Sequence, residues 1–133
     1  MIKIMIVDDD IVSRTKLKMI LSEIGTCHDF PDGKSAEESF GQALIEKQPY
    51  HLVCLDLLMP EKDGFDVLMD LKQLDEDYNN EHASTSITQY IMVTSVNERG
   101  AYDAAMDEEC IGYIVKPYRR DLVLEKLKLS GLY

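Results

Sequence analysis

A chain of 133 residues, 45% of them hydrophobic, is long enough for one domain with a buried core and too apolar to stay disordered. Its 25 acidic against 14 basic residues leave a formal charge of −11, the wrong sign for a surface that tracks nucleic-acid phosphates. No apolar stretch reaches bilayer-spanning length, and Met1-Ile2-Lys3-Ile4 runs straight into a strand pattern without the regions of a signal peptide. We therefore expect a cytoplasmic protein with no direct nucleic-acid binding and no membrane association.

Strand and helix patterns alternate along the chain, the signature of an α/β fold with a parallel sheet. A strand over Lys3 to Val7 is followed by a helix from about Ile11 to Ile24, with Leu17, Ile20, Leu21 and Ile24 on one face and Gly25 where helices end. Cys27 to Phe30 reads as a short strand before the Pro31-Asp32-Gly33 turn. Ser35 with Glu38 three residues on suggests a capping box for a helix to about Lys47, stopped by Gln48-Pro49. His51 to Leu55 is continuously apolar, as a strand covered on both faces would be. Phe65 to Leu74 forms the third helix, turning Val67, Leu68, Leu71 and Leu74 inward. The polar run Asp75 to Gln89 reads as a long solvated loop. Tyr90 to Val93 is the fourth strand, Asn97 caps a helix through about Glu108, Ile111 to Val115 is the fifth strand, and Asp121 to Leu129 is the last helix. Leu122, Val123, Lys126 and Leu127 mark the amphipathic face of that helix. Five βα units result, and residues 1–133 form a single domain. Cys27, Cys54 and Cys110 are odd in number and lack paired metal spacing, so they read as free thiols.

Asp8 and Asp9 end the first apolar run, Asp56 ends the third, and Lys116-Pro117 follows the fifth. Parallel strands open their carboxyl ends into one crevice, so these charges should converge. Close carboxylates repel one another unless a cation intervenes, and oxygen-only ligands suit magnesium.

Almost the whole chain resembles a known family at the acidic pair in Val7-Asp8-Asp9-Asp10, at Leu55-Asp56-Leu57-Leu58-Met59-Pro60 continuing to Asp63-Gly64, at Met92-Val93-Thr94-Ser95, and at Gly112-Tyr113-Ile114-Val115-Lys116-Pro117. It is similar to the receiver domain of bacterial two-component response regulators, in chemotaxis-regulator-like form. That resemblance implies a flavodoxin-like fold, a doubly wound five-stranded parallel sheet of order 2-1-3-4-5 with five helices. It also implies a phosphorylation-activated switch in which Asp56 accepts a phosphoryl group from a partner phosphohistidine. Magnesium would then be bound by Asp9, Asp56 and the backbone carbonyl of Leu58, with Asp8 acting directly or through a water. Lys116 would neutralise charge on the transferred group, and it precedes a proline that relatives typically join by a cis peptide. Thr94 would donate its hydroxyl to the phosphoryl group once it arrives, and Tyr113 would follow it inward. Implied partners are a sensor histidine kinase or histidine phosphotransfer protein and a downstream protein target. The protein would not be an enzyme beyond catalysing its own phosphorylation and dephosphorylation.

Departures from the family pattern carry information as well. Glu109-Cys110 stands where relatives commonly place Gly-Ala, which predicts an irregular end to the fourth helix. Leu58 and Val96 are apolar where polar side chains in relatives orient a hydrolytic water, while Ser95 should leave a phosphoryl donor an open approach. Two other classes share part of this pattern. A magnesium-dependent aspartyl phosphohydrolase would want a second acid at position 58, and an interaction module without phosphotransfer would not need the full set Asp8, Asp9, Asp56, Thr94 and Lys116. His28, His51 and His82 form no phosphotransfer helix pattern, so the donor histidine belongs to a partner. The chain, ending at Tyr133, is either a stand-alone regulator or an excised receiver.

Overall fold

In the computed structural model, which describes all 133 residues, five strands and five helices alternate without exception. They are β1 (Ile2–Val7), α1 (Ile11–Leu21), β2 (Gly25–Phe30), α2 (Gly33–Ile45), β3 (Leu52–Leu55), α3 (Gly64–His82), β4 (Gln89–Thr94), α4 (Arg99–Asp107), β5 (Gly112–Val115) and α5 (Arg120–Leu129). All pairings are parallel and the sheet order is β2-β1-β3-β4-β5, the arrangement that the sequence implied.

Strand side chains alternate between faces, and the sheet uses this to fill two cores. Met5, Val7, Val53, Leu55 and Met92 pack on one face with Phe40, Leu44, Val67, Leu68, Leu71 and Ala105 from α2, α3 and α4. Ile4, Ile6, Leu52, Cys54, Ile91 and Val93 pack on the other with Leu17, Ile20, Leu21, Val123 and Leu127 from α1 and α5. Covering the sheet on both sides explains why its central strands are continuously apolar.

Several local expectations are corrected. Gly25 does not close α1, which ends at Leu21; it opens β2 opposite Ile2, whose carbonyl oxygen would lie 2.5 Å from any Cβ there. The cap of α2 is Asp32, whose carboxylate takes both the N–H and the hydroxyl of Ser35 at 2.8 Å. Asn97 does not cap α4, which starts from Glu98 without a side-chain cap bond. The end of α4 is well formed without glycine, because Glu109 itself takes the left-handed conformation with φ 63° and the Cys110 N–H reaches the Ala105 carbonyl at 3.1 Å. Leu74 and Leu122 are exposed, so the inward faces of α3 and α5 are narrower than predicted.

The largest correction concerns Asp75 to Gln89. Helix α3 continues through this stretch to His82, and only residues 83–88 form the loop. Asp75 is buried and accepts hydrogen bonds from the Asn79 amide at 3.0 Å and from the Ser86 hydroxyl. Its polarity thus serves a helix-to-loop tie rather than a solvated insertion. Tyr78 and His82 stack 4.0 Å apart on the final turn.

Candidate functional site

Three strand ends build the site. Asp8 follows β1, Asp56 follows β3 and Lys116 follows β5. The backbone N–H of Asp8 donates to Phe30 O and that of Asp56 to Val7 O, each at 3.1 Å. The Lys116 N–H is bound to the Thr94 carbonyl at 2.8 Å. Each functional residue is therefore held by the ladder of its neighbouring strand rather than by a free loop.

Both acidic side chains are buried, and the Lys116 ammonium lies between them, 2.7 Å from Asp8 Oδ2 and 2.7 Å from Asp56 Oδ2. The remaining oxygens are also engaged. Asp56 Oδ1 accepts the Leu58 N–H at 3.1 Å, and Asp8 Oδ1 accepts the Asp10 N–H at 2.9 Å. Burial pushes the Asp8 carboxyl above its usual range despite the bonds from Lys116 and Asp10, with the Asp56 charge adding to the rise. For Lys116, burial works against the charge, but the bonds to Asp56 and Asp8 outweigh it and hold the ammonium above the ordinary lysine value. The peptide bond between Lys116 and Pro117 is cis.

Asp9 differs from its neighbour in being exposed, because successive residues leaving a strand project to opposite sides. Asp9 thus stands at the rim of the crevice, beside the two buried carboxylates, and no three acidic, histidine or cysteine side chains are already gathered around one point. What converges is two carboxylates on one ammonium.

Thr94, fully buried at the end of β4, accepts the Val96 N–H on its hydroxyl oxygen at 3.3 Å. Tyr113 is buried as well, with its hydroxyl donating to the Val96 carbonyl at 2.7 Å and its ring set edge-on to Tyr102 at 5.8 Å. Leu58 stands out from the surface, 58% exposed, and Val96 is half-buried.

The sequence reading passed over two supports. Asp10 caps α1 by accepting from Ser13, and Arg14 donates to the Asp8 carbonyl at 2.9 Å while its guanidinium pairs with Asp29. An aspartate just before a helix pattern signals the first; the second joins residues from separate elements and leaves no local signal. Close packing fixes the turn after Asp56, since the Gly64 N–H bonds Leu57 O at 3.1 Å and a Cβ on Gly64 would collide with the Asp56 carbonyl.

Comparison with known proteins agrees with this geometry. Residues 4–128 match the response regulator receiver domain. The chain is 34% identical over 128 residues to the chemotaxis protein CheY of Bacillus subtilis, covering 94% of this chain and 93% of that one. It is 28% identical over 133 residues to CheY of Listeria monocytogenes, covering 98% and 99%. Among solved structures it superposes on Vibrio cholerae CheY4 with TM-score 0.76 at 20% identity, covering 100% and 99% of the two chains. It matches a chain of the CheX–CheY complex from Borrelia burgdorferi, which carries BeF3 and magnesium, with TM-score 0.76 at 21% identity, covering 98% and 89%. The chain belongs to the response regulator receiver domain family, whose members are phosphorylation-activated switches and regulators rather than classical enzymes.

Proposed function

We propose that Asp56 is the phosphoacceptor and that a partner phosphohistidine is the donor. The observation that carries this reading is the Lys116 ammonium bridging Asp8 and Asp56 at 2.7 Å each, at the mouth of the crevice where the strands end. In the transfer an Asp56 carboxylate oxygen forms a bond to phosphorus as the donor's N–P bond breaks, and the electron pair of that bond returns to the imidazole nitrogen. Lys116 then has a phosphoryl oxygen to bind in place of its contact with Asp56, which lowers the cost of gathering negative charge there. The Thr94 hydroxyl, which in this structure only accepts from Val96, has its proton free to donate to a second phosphoryl oxygen.

The donor set is oxygen-only, two buried carboxylates with an exposed third beside them, and this fits a hard divalent cation. Asp9, Asp56 and the carbonyl of Leu58 would hold magnesium, with Asp8 alongside. When bound, the ion would supply positive charge that offsets the negative charge gathering on the transferred group. Signalling then passes through Thr94, Tyr113 and the surface of α4, β5 and α5 to a downstream protein target. One feature supports a switch over a phosphohydrolase: Leu58 offers no second acid two residues beyond Asp56. The presence of the full set Asp8, Asp9, Asp56, Thr94 and Lys116 supports it over an inert module.

Incubation with acetyl phosphate and magnesium tests the three classes together. A stable phosphoryl adduct supports the switch, steady release of phosphate supports a hydrolase, and no reaction supports an inert interaction module.

A further inference from the structure

The segment between Asp56 and α3 carries the Leu58 carbonyl and must hold one shape if the site is to be preformed. Its two ends are tied by hydrogen bonds, Leu58 N–H to the side-chain Asp56 Oδ1 at 3.1 Å and Gly64 N–H to the backbone Leu57 O at 3.1 Å. Its middle is irregular. Lys62 N–H closes onto Pro60 O at 2.7 Å, and Glu61 takes the left-handed conformation with φ 70°, which a non-glycine residue does not adopt without support. From this turn the Lys62 side chain reaches both flanking helices. Its ammonium pairs with Glu37 of α2 at 3.1 Å and with Asp70 of α3, and its stem lies close to Gly33, where a Cβ would sit 3.4 Å from the Lys62 Cδ.

The two acids do not face each other comfortably without it. Burial and the neighbouring Asp70 carboxyl push Glu37 above the usual carboxylate range, while the Lys62 ammonium holds Asp70 below it. One cation thus pairs with an acid on each of two helices and fastens the loop to both. A single exposed ion pair is worth little, but a lysine shared between two acids spends its side-chain entropy once for two contacts.

We infer that Lys62 is a positioning residue for phosphoryl transfer: clamped by Glu37 and Asp70, it holds the segment from Leu57 to Asp63 so that the Leu58 carbonyl and Asp56 face one point. The inference rests on Asp56 being the phosphoacceptor. It concerns a side chain that touches none of the reacting atoms and acts only through the loop.

The test compares the parent, Lys62→Met, which keeps the stem over Gly33 and removes the charge, and Lys62→Arg, which restores the charge. Each is labelled with acetyl phosphate over a range of magnesium concentrations, with its melting temperature recorded. Lys62→Met should melt close to the parent, be labelled roughly threefold more slowly, and need more magnesium for half its maximal rate; Lys62→Arg should recover both kinetic values. A Lys62→Met protein with the parent's rate and magnesium midpoint, or a failure of arginine to restore them, would overturn the clamp. If Lys62→Met melts well below the parent, Glu37→Gln with Asp70→Asn removes the repulsion together with the clamp, and its labelling must still be slow. A parent that takes no label overturns the phosphoacceptor reading, and the clamp falls with it.

Discussion

Tyr113 donates its phenolic hydrogen bond to the backbone carbonyl of Val96 at 2.7 Å, so a residue of β5 holds the loop that leaves β4. The N–H of Val96 in turn donates to the Thr94 hydroxyl oxygen at 3.3 Å. Thr94 and Tyr113 therefore meet on the two sides of one peptide-bearing residue, and a change at either is felt by the other. Tyr113 is buried in this structure.

Binding of beryllofluoride at Asp56 should accordingly move amide resonances from Thr94 to Glu98 and around Tyr102 and Tyr113. In Tyr113→Phe the loop loses its tie, and the response around Tyr102 should shrink while that next to Asp56 persists. Shifts confined to the surroundings of Asp56 in the parent would contradict the coupling.

Millimolar magnesium should raise the melting temperature, because a ligand that binds only the folded form stabilises it and relieves repulsion between Asp8 and Asp56. Asp9→Ala should remove most of that gain without lowering the metal-free melting point much, since Asp9 is exposed. Thermal unfolding with and without the ion checks both statements.

Leu58 and Val96 can neither accept a hydrogen bond from a water opposite the phosphoaspartate nor hold it by charge. Replacing them together, Leu58→Asn with Val96→Glu, should speed loss of the phosphoryl group several-fold, as an aligned polar contact is worth about 1 kcal/mol. Decay of the labelled protein in excess magnesium measures it, and an equal or slower rate in the double variant would remove these positions from control of the lifetime.

Away from the site, Asp29 accepts from Lys18 at 2.9 Å and from Arg14 at 3.0 Å, and these bonds hold its carboxyl below the usual range. A depressed folded-state value means stability that is fully present above the unfolded value, about pH 4, and lost as pH falls through the folded one. Asp29→Asn should thus be less stable than the parent at pH 7, with the gap closing below about pH 4. Urea midpoints at the two conditions supply the comparison.

Much of this architecture was legible in the sequence because it rests on local pattern. Continuous apolar strands ending in Asp8, Asp56 and Lys116 announced a parallel sheet and placed charge at one edge. The extension of α3 was not legible, because Asp75, Asn79 and Asn80 have the composition of a loop, and the bonds that occupy the buried Asp75, from Asn79 one turn on and from Ser86 in the following loop, appear only in the folded chain. Asp9 was placed beside the cluster by its position at the end of the first strand, but its exposure was not legible, because which side a residue takes as it leaves a strand depends on the turn that follows. The Lys62 clamp joins residues from α2, α3 and the loop between β3 and α3, and no spacing in the chain points to it.

Acceptance of the phosphoryl group by Asp56 is read most directly from where that group ends up. Protein treated with acetyl phosphate and magnesium, reduced with borohydride to mark acyl phosphates, and mapped by mass spectrometry should carry one modification, at Asp56, with Asp56→Asn and Lys116→Ala unlabelled or strongly impaired. A label at another residue, or undiminished labelling of Asp56→Asn, would contradict it.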